Sequence, residues 1–229
     1  SQIPLEASRT DALDNVINSL VLACAPELAE VCVYFRGKLI RGNRSRKLKT
    51  SELDAFDSPN APLLGRCGIG LELRHDLLLP AGQRRFRVPT FNPGAVASLV
   101  MFPGIPAALV EAAASLPGLR GLIIQTYGAG NAPNADTGLL RALERAISRG
   151  IVVLNISQCL EGRVEQRAYA SGAALDGIGV IPGGDLTPEA AFAKLHFLLA
   201  TGHSGDALRT AIQHPRAGDS GPAGPTGRD

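Results

Sequence analysis

Between residues 95 and 213, short and almost continuously apolar runs alternate with longer stretches of helical periodicity, and few folds accommodate that rhythm. The runs at 95–101, 121–125, 151–156 and 177–181 have strand length, while 107–115, 138–149, 188–200 and 205–213 read as helices. Strands that are apolar on both faces must be covered on both, so the pattern predicts a parallel sheet between helical layers. The helices carry their own signals. Leu139, Leu140, Leu143, Ala146 and Ile147 form one stripe that ends at Gly150. Thr187-Pro188 places a capping hydroxyl before a first-turn proline, with Phe192, Leu195, Leu198 and Leu199 expected to face inward.

The first third is organised differently. Ser8-x-x-Asp11 has the form of a capping box, and Leu13, Val16, Ile17, Leu20, Val21 and Cys24 share one helical face, ended by Pro26. An apolar run at 31–35, a Gly37-Lys38 turn and Leu39-Ile40 predict a β-hairpin. The chain offers that helix little more than the hairpin to pack on, so exposed apolar surface is expected unless another chain supplies strands. The proline-punctuated residues 79–93 read as a linker. Residues 214–229, rich in Gly, Pro and charge, read as a disordered tail.

Composition narrows the function. A net charge of +2 on 229 residues argues against a dedicated polyanion binder. The basic residues Arg36, Lys38, Arg41, Arg44, Arg46, Lys47 and Lys49 nevertheless cluster with no Asp or Glu between them, which would draw a carboxylate-bearing partner. Cys24, Cys32, Cys67 and Cys159 show no zinc or redox spacing, which implies no metal; Cys24 and Cys32 are expected as buried, reduced thiols of an intracellular protein. No apolar run approaches the length of a membrane span. His75, His196, His203 and His214 lie outside the two glycine-bearing loops, 126–136 and 157–172, which argues against Ser/His or Cys/His catalysis at Ser157 or Cys159. Gly128-Ala129-Gly130-Asn131 fails as a nucleotide loop, since Pro133 stands where a third glycine is needed and no Gly-Lys-Ser/Thr occurs. Tyr127 is expected to pack with its hydroxyl on a local partner.

Five motifs occur in order: SQIP at the start, RGNRSRK with a later Phe and SPN at 41–60, TYGAGNAP at 126–133, NISQCLEGRV at 155–164, and YASG at 169–172. On these the chain resembles the type I (cytoplasmic) bacterial L-asparaginases, over nearly its whole length. The resemblance implies an α/β protein: a truncated N-terminal asparaginase domain over 1–78, the linker 79–93, and a smaller parallel-sheet α/β C-terminal domain over 94–213. It implies hydrolysis of L-asparagine to aspartate and ammonia through a threonine acyl-enzyme, with no cofactor, in a cytoplasmic homodimer or homotetramer. The part carrying the family's nucleophilic threonines lies outside these residues, so the chain alone is expected to be inactive. Lys47 matches the catalytic lysine, whose amine would need its pKa lowered by burial or by neighbouring cations such as Arg44, Arg46 and Lys49. Those three are otherwise read as solvated surface charge. Asn131 matches the substrate-binding asparagine, which in the family reaches a neighbouring subunit's site. Gln125 and Cys159 match residues of an asparagine effector site, where regulated members carry arginine in place of Gln125; the glutamine loses the bidentate carboxylate clamp. The alternative from another class is a non-catalytic module that uses Arg36–Lys49, with Tyr34 and Phe35, to bind a small molecule or nucleic acid.

Overall fold

The computed structural model describes residues 1–82, 88–133, 137–166 and 170–221. The chain divides into two compact units, Ser1–Phe86 with Arg216–Asp219, and Arg87–Pro215 with Ser220–Asp229. Part of the expected 79–93 linker, residues 83–87, lies outside the described residues, as do Tyr169 of the YASG motif and 222–229 of the expected tail. Residues 214–221 are described, and Asp219 among them is buried.

The first unit contains α1 (Ala12–Ala23), β1 (Cys32–Phe35), β2 (Lys38–Arg41), a 3-10 turn (Gly42–Arg44), β3 (Arg46–Lys47), β4 (Phe56–Asp57), β5 (Gly65–Cys67) and β6 (Leu71–Leu73). Strands β1, β2, β5 and β6 form an antiparallel sheet in that order, and β3 pairs with β4 in a separate ribbon. The expected hairpin forms, with its turn one residue earlier than the sequence suggested. Arg36 and Gly37 have φ of 49° and 78°, and Phe35 pairs with Lys38. Two consecutive positive φ values match the twist of a two-residue hairpin. Arg36 pays about 1 kcal/mol or more for that conformation, and its N–H donates to Asn15 Oδ1 at 3.0 Å. Arg36→Asn is expected to stabilise the unit by up to about 1 kcal/mol, read as a raised urea midpoint at unchanged slope; a lowered midpoint would contradict the strain.

Helix α1 starts at Ala12, so the capping box proposed for Ser8 does not form. Asp11 is the N-cap residue, but its carboxylate makes no cap bond. It accepts instead from the N–H groups of Gln2 (3.0 Å) and Ile3 (2.9 Å) and from Asn15 Nδ2 (3.1 Å), tying the start of the chain to the helix. Burial pushes the Asp11 pKa up, but the N–H bonds from Ile3 and Gln2 outweigh it and leave it below 3.8. A depressed folded pKa contributes stability that is present above the unfolded value and is lost as pH falls through the folded one. The Gln2 and Ile3 amide resonances are therefore expected to hold their hydrogen-bonded positions until the pH drops below about 4. Their loss near pH 6 would assign the tie to another group.

The apolar face of α1 is open. Leu13, Val16, Ile17, Leu20 and Val21 are all at least half exposed, while Ala12, Asn15 and Leu22 are buried. Only Leu22 joins the unit's small core, with Leu39 and Leu64. Cys24 is exposed rather than buried, because it sits past the last turn of the helix.

The second unit reads β7 (Val96–Val100), α2 (Ala107–Ala114), β8 (Gly121–Thr126), α3 (Thr137–Ser148), β9 (Val152–Ser157), α4 (Ala170–Gly177), β10 (Ile181–Pro182), α5 (Pro188–Ala200) and α6 (Gly205–Gln213). Its four strands are parallel and stand in sequence order. Leu122, Ile124 and Val153 face a core with Val110, Leu139, Leu143 and Leu175, while Ile123, Leu154 and Ile156 face Leu195, Leu198 and Ile212. Helices α2, α3 and α4 thus cover one face and α5 and α6 the other, as the doubly apolar strands require. Thr187 caps α5, accepting from the Ala190 N–H at 3.1 Å. Three details differ from the sequence reading. Helix α4 is not expected from the sequence, which reads its first residues as part of the 157–172 loop. The run at 177–181 is mostly the end of α4 and a turn, leaving a two-residue strand. Phe192 is exposed, its ring 5.3 Å from that of His196, whose Nε2 lies 2.7 Å from the Asn92 carbonyl oxygen.

Candidate active site

In the second unit, the loops after β8 and β9 leave the carboxyl end of the sheet, where ligands of α/β proteins collect. They are held together from beneath by a buried polar network. Asn155, fully buried on β9, accepts from Thr126 Oγ1 (2.7 Å) through Oδ1 and donates through Nδ2 to the Gly130 carbonyl and Gln166 Oε1, both at 3.2 Å. Gln166 Nε2 continues the chain of bonds to the Val180 carbonyl at 3.1 Å. Above it, Ser157 Oγ donates to the Gly128 carbonyl (2.7 Å), and the Glu165 N–H donates to the Ala129 carbonyl (2.9 Å).

This framework presents Asn131. The backbone of Tyr127–Asn131 closes on itself, with the Tyr127 N–H donating to the Asn131 carbonyl (2.9 Å) and the Asn131 N–H to the Tyr127 carbonyl (2.8 Å). Gly130 is required there. Its φ is 111°, and a Cβ would come within 2.7 Å of Val164 Cγ1. Among the described residues the Tyr127 hydroxyl finds no hydrogen-bond partner, against expectation, because the ring packs onto the apolar face of the sheet. Gln125 is the penultimate residue of β8, its Nε2 donating to Ser98 Oγ at 3.2 Å. Cys159 is exposed just beyond β9, its N–H donating to Ser157 Oγ at 3.0 Å. Gln158 Nε2 pins the same end of the sheet, donating to the carbonyls of Met101 (2.7 Å) and Gln125 (2.8 Å).

In the first unit, Lys47 lies on the exposed edge of the β3–β4 ribbon. Its Nζ donates to Gln2 Oε1 at 2.6 Å and stands 5.9 Å from the centre of the Phe56 ring. Gln2 Nε2 in turn donates to the carbonyls of Thr50 (3.0 Å) and Glu52 (2.9 Å), so one side chain links the lysine to the loop that follows it. The expectation that Arg44 is solvated surface charge is overturned: it is 2% exposed, with its guanidinium on the carbonyls of Asp219 and Asn60. Lys38 lies 3.0 Å from Asp54 Oδ2, Arg41 is bound to Glu30, and Lys49 lies 2.7 Å from Glu52 Oε2. Acids distant in sequence or outside the basic run thus neutralise several of its charges, which weakens the nucleic-acid alternative. Among the described residues, no group of three or more His, Cys, Asp or Glu is placed to hold a metal ion, and no helix is long and apolar enough to cross a membrane.

Sequence reasoning missed Gln2, Asn155 and Gln166 as positioning groups. For Asn155 a signal existed: a polar residue in the middle of an apolar strand needs buried partners. Gln2 had none, because its partner is 45 residues away.

Comparison with known proteins places both units. Residues 1–78 match the model of the N-terminal asparaginase domain and residues 95–212 that of the glutaminase/asparaginase C-terminal domain. L-asparaginase 1 of Escherichia coli K12 is 37% identical over 222 residues, which is 97% of this chain and 65% of that protein. The human 60 kDa lysophospholipase is 38% identical over 87% of this chain and 34% of its own length. The crystal structure of L-asparaginase I from Vibrio cholerae superposes with a TM-score of 0.86 at 39% identity, covering 96% of this chain and 66% of that one. The chain therefore spans just under two thirds of these asparaginases. With both family models matched in order and the fold shared, this chain belongs to the asparaginase family.

Proposed function

We propose that this chain contributes to the hydrolysis of the side-chain amide of L-asparagine, giving L-aspartate and ammonia through a threonine acyl-enzyme. The observation that carries this reading is the 37% identity to an L-asparaginase over 97% of the chain. Lys47 is the catalytic amine, moving the proton that activates the attacking hydroxyl, and its bond to Gln2 sets where the amine points. Asn131 recognises the amino-acid end of the substrate, since one amide can donate to a carboxylate and accept from an ammonium. Gln125 and Cys159 border an effector position, where a glutamine gives a weaker grip on an amino-acid carboxylate than arginine would. The active form is a homodimer or homotetramer in the cytoplasm.

The 229-residue polypeptide alone is expected to release no ammonia from asparagine, because the attacking threonines implied by the family are not among its residues. Substituted for its matching region in E. coli L-asparaginase 1, the same chain is expected to restore ammonia release. Lys47→Met in that chimera should lower kcat by about 100-fold or more. A folded chimera that spares asparagine but cleaves a lysophospholipid would sink the reading, and undiminished turnover by Lys47→Met would remove the lysine's role.

A further inference from the structure

The basic stretch that marks the family has a second use in this chain. Residues 216–219 fold into a tight turn, with the Asp219 N–H donating to the Arg216 carbonyl (3.1 Å) and the Arg216 N–H to Asp219 Oδ1 (2.8 Å). Ala217 and Gly218 both have positive φ, 50° and 68°. This turn seats on 41–44. Arg44 Nη1 donates to the Asp219 carbonyl at 2.7 Å and Asn43 Nδ2 to the Ala217 carbonyl at 2.8 Å, while a Cβ on Gly218 would fall 2.7 Å from Arg41 Nη1. Arg44 also reaches the other way, Nη2 donating to the Asn60 carbonyl at 2.6 Å.

The position of these bonds gives them a function. Strand β3 starts two residues after Arg44 and β4 ends three residues before Asn60, so the Arg44–Asn60 bond closes the base of the ribbon that carries Lys47. A two-stranded ribbon is marginal by itself. This one is held further along by the Leu48 and Lys49 N–H groups on the Ala55 carbonyl, by Gln2, by Lys38 Nζ at 3.4 Å from Asp57 Oδ2 and by the Phe56 ring 4.9 Å from that of Phe35. Of these contacts, the Arg44–Asn60 bond is the one that spans its base. A buried guanidinium keeps a fixed direction only while its donors are satisfied. We propose that residues 216–219 are a strap that fixes Arg44, and that Arg44 is the positioning residue for the Lys47 ribbon. The strap stands independently of the asparaginase reading; only its catalytic meaning rests on that reading.

Amide hydrogen exchange on the 229-residue chain tests the strap. Gly218→Ala, which drives a methyl group into Arg41, and removal of the residues after Pro215 are each expected to speed exchange at Leu48 and Lys49 at least about tenfold, leaving Ile124 and Leu154 in the other unit unchanged. Arg44→Lys, keeping charge but losing the fork, should give a smaller change at the same amides. Unchanged exchange at Leu48 and Lys49 in the truncated chain overturns the proposal. So does a uniform acceleration that includes the β1–β2 amides, since that marks general destabilisation. In the chimeric enzyme, Arg44→Lys is expected to lower kcat with KM unchanged. An inactive parent chimera alongside accelerated ribbon exchange would refute the asparaginase reading and leave the strap standing.

Discussion

Replacing Asn155 by alanine is expected to destabilise the second unit by about 3–5 kcal/mol, because it strands several buried polar groups at about 1–3 kcal/mol each. The Gly130 carbonyl and Gln166 Oε1 lose this donor, and Thr126 Oγ1 loses its close acceptor, leaving the Ile156 carbonyl at 3.5 Å. A loss of that size is a large share of the 5–15 kcal/mol typical of a domain. Thr126→Val removes one edge of the same network and should cost about 1–2 kcal/mol. The two changes should be strongly non-additive, because they share a bond. Urea denaturation of the single and double variants measures this. If Asn155→Ala costs under about 1 kcal/mol, or if the costs simply add, the network is not what holds the 128–131 loop. The functional consequence travels with the structural one, since that loop presents Asn131.

The second large effect concerns α1. Five large apolar side chains on one helical face stand at least half open to water. Covering what remains of them would contribute on the order of 4–7 kcal/mol, at about 1.5–3 kcal/mol for a fully buried side chain. The isolated chain is therefore expected to bind an environment-sensitive apolar dye strongly and to associate as its concentration rises. Val16→Glu with Leu20→Lys should abolish both without lowering the urea midpoint, because neither residue belongs to the core around Leu22. A monomeric, dye-silent wild-type chain would show that the face is covered.

The sequence alone determined most of the second unit, missing helix α4 and the shortness of β10. Strands apolar on both faces and helices with one stripe admit few arrangements, and local signals such as the Thr187 cap depend on residues three apart. Motif spacing likewise placed Asn131 in a loop after a strand, whereas Lys47, read in a loop, lies on the short strand β3 paired with Phe56. What only the tertiary structure decided were the partners of polar groups. Asp11 could have capped its own helix, yet it serves the amides of Gln2 and Ile3. Arg44 has the composition of surface charge, but it is buried because a carbonyl 175 residues away meets it. Periodicity records which way a side chain faces; it holds no record of a hydrogen bond closed across such distances, and such bonds hold the ribbon and the loop proposed to carry the chemistry.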